Sequence, residues 1–201
     1  MIYQYTPQSS DLLSQGIYKT PIDGLFFIPH QAHFDKRGHY VELGRIPEIE
    51  QVIGRPFQVK QINASGSKQN VIRGIHAEGW DKLLSIATGT AFCAWPDLRP
   101  ESPTFGDVVT MTLGAEEQDL SGSVYVSNGI GNSFYVLNGP LTYLYVVNAL
   151  YKDRDVSNDV AISLFDEDLN INWPSDKASM IISDRDLQAI TLRTKFPEKF
   201  I

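Results

Sequence analysis

"KLLSIATGTAFCAWPD", residues 82–97, decides how the rest of the chain is read. Residues 82–88 and 90–97 are two apolar runs rich in β-branched and aromatic side chains, with Gly89 between them. Runs this short, bounded by turn residues, read as buried strands rather than helices. Thr88-Gly89-Thr90 predicts a tight hairpin joining them. Outward from this pair the same texture continues: "GLFFIP" (24–29), "GHYVEL" (38–43), "FQVKQIN" (57–63), "NVIRGIH" (70–76), "DVVTMTL" (107–113), "SVYVSN" (123–128), "NSFYVLN" (132–138) and "LTYLYVV" (141–147). Gly, Pro, Asn, Asp or Ser lie between most of them, the pattern of an all-β sandwich or barrel.

Helical signals are few. "IPEIEQVIG" (46–54) has Pro47 near its start and Gly54 at its end. In "SDRDLQAI" (183–190), Ser183 is a candidate N-cap with Asp186 three residues on. The tail "RTKFPEKFI" reads as a surface segment. The expectation is one domain over residues 1–201, with a β core over about 24–150 and a C-terminal extension over about 151–201.

Composition bounds the function. Of 201 residues, 42% are hydrophobic and 20% charged, enough apolar material for a full core. The net charge is −7 with no run of Lys or Arg, which argues against a nucleic-acid surface. A single cysteine, Cys93, excludes an intramolecular disulfide and a Cys-rich zinc site. Its apolar surroundings predict a buried thiol. The first residues lack the pattern of a signal peptide, and no apolar run approaches the ~20 residues of a membrane span, so the expected location is cytoplasmic.

The densest chemistry is "VIRGIHAEGWDK", residues 71–82. Three readings compete: a metal site begun by His76 and Glu78, an acid/base site, or a polar strand edge. A mononuclear metal site on a jelly roll typically needs two or three imidazoles and a carboxylate. The chain has four histidines, His30, His33, His39 and His76; the first two sit in the loop-like "PHQAHFD", and the later strand offers Asn132 instead. The metal reading is therefore weak. As an acid/base site, His76 needs a carboxylate to orient it. Lys82 suits a developing oxyanion, Arg73 suits a phosphate, and a tyrosine could return the proton. Spacing alone still favours a structural histidine. Nor does it choose between Tyr143 and Tyr145, which alternate onto one strand face. Arg37, after Asp35 and Lys36, reads as a surface cluster, and Asp97 with Arg99 as the tie of a loop.

Several stretches together resemble the dTDP-4-dehydrorhamnose 3,5-epimerase family: "FDKRGHYVEL", "QINASGSKQNVIRGIH", "DKLLSIATGTAFCAWPDLRPESPTFGDV", "NGIGNSFYVLNGPLTYLYVVNALY", "FDEDLNINWP" and "SDRD". The match covers roughly residues 24–186, with "DLRPESPTFG" and "RGIH" its most specific pieces. The resemblance implies a cupin-type jelly roll, usually a homodimer with strands contributed across the interface, and no metal or other cofactor. It implies a nucleoside-diphosphate sugar as substrate. It assigns His76 as general base, Asp166 as the paired carboxylate, Tyr145 as general acid and Lys82 as the enolate stabiliser. Arg37 and Arg73 match substrate and diphosphate contacts, and Glu42, Gln61 and Asn63 match polar substrate contacts. Tyr151 matches an aromatic that stacks on the nucleotide base. Two departures stand out. Asn132, a candidate substrate contact, replaces a second histidine of the family, and "AEGWD" between His76 and Lys82 is a shortened link. They leave open whether both C3 and C5 of a 4-keto-6-deoxyhexose invert. A C3-only or C5-only epimerase on another 4-keto sugar, and a non-catalytic sugar-nucleotide-binding cupin, are the alternatives.

Overall fold

Lys82–Pro96 is one continuous strand, not a hairpin, in the computed structural model, which describes residues 1–153 and 156–200. Thr88-Gly89-Thr90 is a corner. In chain order the strands are β1 (Ile2–Gln4), β2 (Tyr18–Lys19), β3 (Leu25–Pro29), β4 (Ala32–Asp35), β5 (Gly38–Val41), β6 (Gln61–Ser67), β7 (Ile72–Ala77), β8 (Lys82–Pro96), β9 (Val108–Gly114), β10 (Gly122–Val126), β11 (Asn132–Val147) and β12 (Val160–Ala161). The expected strands at 132–138 and 141–147 are likewise one strand, β11.

The two long strands pair antiparallel almost end to end, from Ser133 opposite Ala94 to Val147 opposite Lys82. Between Asn138–Thr90 and Thr142–Thr88, β11 has three residues where β8 has one, Gly89. That mismatch bends the ladder. On one side of the bend, β8 pairs with β10 and β11 pairs with β6. On the other, β8 pairs with β9 and β11 pairs with β7. Each long strand thus leaves one layer and enters the other, which makes the all-β jelly roll that was expected. Trp95, Phe27, Val124 and Val136 lie fully buried in its main core, and burial of such side chains contributes about 2 kcal/mol each. Cys93 is buried with them, and burial pushes its thiol up, away from nucleophilic use.

Helix α1 (Ile46–Ile53) forms where expected, closed by Gly54 at φ 69°. Its apolar face covers Phe57, Leu83 and Tyr125. Phe57 is drawn into that contact, so β6 starts at Gln61 rather than at residue 57. Asp97 ties its loop as expected, accepting hydrogen bonds from Arg99, Ser102 and Thr104.

Most of the tail 193–200 lies at the surface as read, but Phe196 is buried, and the preceding part of the C-terminal extension packs on the sheet. The extension runs through two short helices, α2 (Asp184–Leu187) and α3 (Leu192–Lys195). Leu192 and Phe196 are buried with Ile72, Ile75 and Trp173 in a second apolar cluster; Ile201 lies outside the described residues. Backbone ties pin the extension to β7: β12 pairs with it at Ala161–His76, Ile162 and Ile75 exchange hydrogen bonds at 3.1 and 3.2 Å, and the Ile72 N–H donates to the Ile181 carbonyl at 3.1 Å. Hydrophobic burial, invisible to a reading of local charge, decides this.

Gly89 is the testable point of the corner. It sits at φ 78°, and a Cβ there would meet the Asn138 and Pro140 carbonyl oxygens at 2.6 and 2.9 Å. Gly89→Ala is expected to cost roughly 3 kcal/mol, from a left-handed backbone and a backbone clash. Thermal unfolding should register it as a midpoint lower by roughly 10 °C.

Candidate active site

Strands β6, β7 and β11, the link after β7 and the start of α2 converge on a cavity of about 440 Å³. Alternation supplies its walls: Gln61, Asn63 and Ser65 from β6, and Tyr143 and Tyr145 from β11. Arg73 and His76 also both line it, although residues three apart on a regular strand face opposite ways. A bulge resolves this. Arg73 pairs with Phe134 and His76 with Asn132, so β7 carries three steps against two on β11. Gly74 makes it feasible: at φ 128°, with Ser133 Cβ 2.3 Å from where its own Cβ would lie, no other residue fits.

His76 meets a carboxylate, but not the expected one. Its Nε2 is 2.8 Å from Asp186 Oδ1, and the Gly74 N–H donates to Asp186 Oδ2 at 3.4 Å. Asp166 is spent inside the extension, where it accepts from the Asp168, Leu169 and Leu192 N–H groups at 3.0, 3.1 and 2.6 Å. It caps backbone and does not touch the imidazole. Asp186 is placed by α2: the Ser183 side chain accepts from the Asp186 N–H at 3.2 Å and starts the helix. Burial alone would raise the Asp186 carboxyl. The hydrogen bond and charge of His76, with help from Gly74 and Ser183, outweigh it and hold the group below the usual carboxylate range. With Nε2 turned to Asp186, Nδ1 is the basic atom left to His76.

The structure separates the two tyrosines that sequence alternation could not. Tyr143 is buried, stacks on Phe134 with ring centroids 4.5 Å apart, and donates its hydroxyl to Asn132 Oδ1 at 2.9 Å. Tyr145 lines the cavity, and its hydroxyl has no hydrogen-bond partner among the described residues. Burial, then the charge of Glu78, raise its phenol above the ordinary value, so it carries its proton at neutral pH. Asn132 Oδ1 also accepts from Trp95 Nε1 at 3.1 Å. Indole N–H only donates, so the amide is held with its oxygen inward and its NH₂ as the end left for a ligand.

Lys82, with its side chain only 6% exposed, donates to Glu78. Glu78 is ionised: burial would raise it, but the Lys82 ammonium, His76 and Arg185 together hold it low. Toward the rim, Arg73 is steadied by Ser67 Oγ at 3.0 Å. Gln61 bridges two neighbours, donating to Asn63 Oδ1 at 2.7 Å and accepting from the Tyr151 N–H at 2.8 Å. Asn63 Nδ2 is buried and has no hydrogen-bond partner among the described residues. Tyr151 lies beside Trp80, ring centroids 6.1 Å apart.

Two expected contacts fall outside the cavity of their own chain. Arg37 is 84% exposed on the β4–β5 turn and pairs with Asp35 at 2.6 Å. Glu42 pairs with Arg45 at 2.7 Å. Among the described residues no group of three His, Cys, Asp or Glu side chains is placed to hold a metal ion. Sequence reasoning missed Trp80 and Arg185, and it weighed Glu78 only as a metal ligand and Asp186 only as part of a helix start. For Asp186 a signal existed, the capped "SDRD", but nothing local connects it to a histidine 110 residues away.

A family model described as dTDP-4-dehydrorhamnose 3,5-epimerase matches residues 19–194. The chain is 32% identical over 162 residues to a dTDP-4-dehydrorhamnose 3,5-epimerase of Salmonella typhimurium, covering 79% of this chain and 85% of that protein. It is 31% identical over 176 residues to a dTDP-4-dehydrorhamnose 3-epimerase of Streptomyces niveus, covering 85% and 81%. Its fold superposes with TM-score 0.79 and 29% identity on the dTDP-6-deoxy-D-glucose-3,5-epimerase of Legionella pneumophila, solved in complex with dTDP-4-keto-L-rhamnose, over 90% of this chain and 95% of that one.

The Asp186 carboxylate ties stability to pH. Its folded value lies below its unfolded one of about 3.9, so its contribution is full above that range and is lost as pH falls through the folded value. The gap in urea midpoint between the parent and Asp186→Asn should be steady above about pH 5 and should close on further acidification.

Proposed function

The chain belongs to the dTDP-4-dehydrorhamnose 3,5-epimerase family, and we propose that its cavity epimerises a nucleoside-diphospho-4-keto-6-deoxyhexose at C3 and C5. The observation that carries this is the His76–Asp186 hydrogen bond at 2.8 Å in the same cavity as a protonated Tyr145. The C4 ketone acidifies the C–H bonds at C3 and C5. His76 Nδ1 removes one proton, and Asp186 stabilises the imidazolium that forms. The electron pair moves onto the ketone oxygen, where the Lys82 ammonium and the Asn132 NH₂ donate. Tyr145 then delivers a proton to the opposite face of the planar enolate. Solvent takes the proton from His76 and restores that of Tyr145. One such event inverts one carbon, and two invert both.

Remote groups hold the ring still. Arg73 suits the diphosphate, Trp80 and Tyr151 suit the nucleotide base, and Asn63 Nδ2 suits a ligand oxygen. Their binding energy serves to orient the reacting carbon. The proposal includes a homodimer. The exposed β4–β5 hairpin, with Arg37 and Glu42 away from their own cavity and Tyr40 69% exposed, suits a segment that reaches a partner's site. A second reading, inversion at C3 alone, is favoured by Asn132 in place of a histidine and by similarity to a 3-epimerase at nearly the same identity as to a 3,5-epimerase.

Incubation with a dTDP-4-keto-6-deoxyglucose substrate in D₂O, followed by NMR, should show deuterium entering both C3 and C5. Entry at C3 alone would select the second reading, and no entry would overturn both. His76→Ala is expected to slow exchange at least about 100-fold. The two aspartates should then separate. Asp186→Asn should lower kcat by about 10–100-fold, whereas Asp166→Asn should cost ~1–3 kcal/mol of stability with kcat changed less than about threefold.

A further inference from the structure

The shortened link between His76 and Lys82 places an acid inside the cavity. Glu78 follows His76 by two residues and precedes Lys82 by four, and its carboxylate accepts from the Lys82 ammonium. Both side chains are largely buried, at 19% and 6% exposure, and both line the cavity.

The link does not need this ion pair to hold its shape. The Trp80 N–H donates to the Glu78 backbone carbonyl at 2.7 Å. Asp81 is fixed at the start of β8 by Arg55 Nη1 at 2.6 Å, the Asn128 N–H at 3.0 Å and Asn148 Nδ2 at 2.9 Å. Nor is a buried ion pair an efficient source of stability, because the desolvation of two charges offsets most of their attraction. What the Glu78 side chain does instead is restrain a long, flexible lysine. One of the three Lys82 N–H donors is spent on Glu78, which leaves two for a ligand. A restrained donor stabilises charge at the instant of reaction without reorganising.

We propose that Glu78 is a positioning residue for the proton-transfer reaction: it anchors the Lys82 ammonium in the cavity, so that Lys82 meets the enolate oxygen as a fixed donor. This rests on the epimerase reading above. It carries a second consequence. Without Lys82, the Glu78 carboxylate loses its hydrogen-bonded counter-ion, keeps only the more distant charges of His76 and Arg185, and opposes a developing oxyanion. Glu78 therefore helps only while Lys82 is present.

The test is a four-member cycle: parent, Glu78→Gln, Lys82→Gln and the double variant. Exchange at C3 and C5, kcat and KM are measured at a temperature where all four are folded by circular dichroism. Glu78→Gln should lower kcat about 10-fold or more with KM changed less than about threefold, since glutamine keeps an acceptor but loses the charge. In the Lys82→Gln background the sign should reverse, and the double variant should turn over faster than Lys82→Gln alone. A role confined to holding the fold would move unfolding midpoints without this reversal in kcat. If Glu78→Gln leaves the parent's kcat unchanged, or slows Lys82→Gln as it slows the parent, the anchoring role is wrong. A parent that exchanges neither carbon overturns the epimerase reading and this role with it, whereas an active parent with an unreversed cycle overturns this role alone.

Discussion

The structure depends on one ladder, the antiparallel pairing of β8 with β11 across a shared bend. At the bend β11 has three residues opposite Gly89, and only a residue without a Cβ fits between the Asn138 and Pro140 carbonyls. Because both strands turn together, their hydrogen bonds resume on the far side. The chain builds two layers without opening an edge between them. The cavity then lies where β11 passes from β6 to β7, so it receives side chains from both layers.

A second constraint sets the chemistry. The bulge at Gly74 brings Arg73 and His76 to one face, and the C-terminal extension brings Asp186 up to His76. Neither is a property of the histidine itself. The bulge is a backbone event that a glycine permits, since a Cβ at residue 74 would meet Ser133. The approach of Asp186 is driven by burial of Leu192, Phe196 and Trp173 against β7, far from any proton transfer. Apolar packing on the outside of a sheet thus decides which carboxylate orients the base inside it.

Two pairs of ionisable groups meet in the cavity, which Arg73 and Arg185 also line. His76 meets Asp186, and Lys82 meets Glu78. In a poorly solvated site an unpaired charge is costly, whereas a pair supplies directed donors with little net field. Neutral groups are oriented in the same economical way. Trp95 and Tyr143 hold the Asn132 oxygen, and Gln61 holds that of Asn63, so each amide keeps its NH₂ for a ligand. Asn132 thus offers a fixed donor without an ionisable group.

Much was legible in the sequence because it depends on local pattern. Apolar runs and turn residues announced an all-β fold, Pro47 and Gly54 bounded a helix, and Ser183 started another. The resemblance singled out His76, Lys82, Arg73, Asn132 and Tyr145, all of which line one cavity. What the sequence could not decide was long-range or steric. Gly89 looks the same at a hairpin as at a corner, and only the register of β11 distinguishes them. Asp166 and Asp186 are both acids in the same extension, and only its packing shows that the first caps backbone while the second meets His76. Tyr143 and Tyr145 share one strand face, and only a hydrogen bond to Asn132 removes the first from reach. Sequence alone thus determined the elements and the chemical inventory, since these follow from side-chain type and spacing. Tertiary structure decided which members of that inventory meet, because partners such as His76 and Asp186 are brought together by burial of other residues.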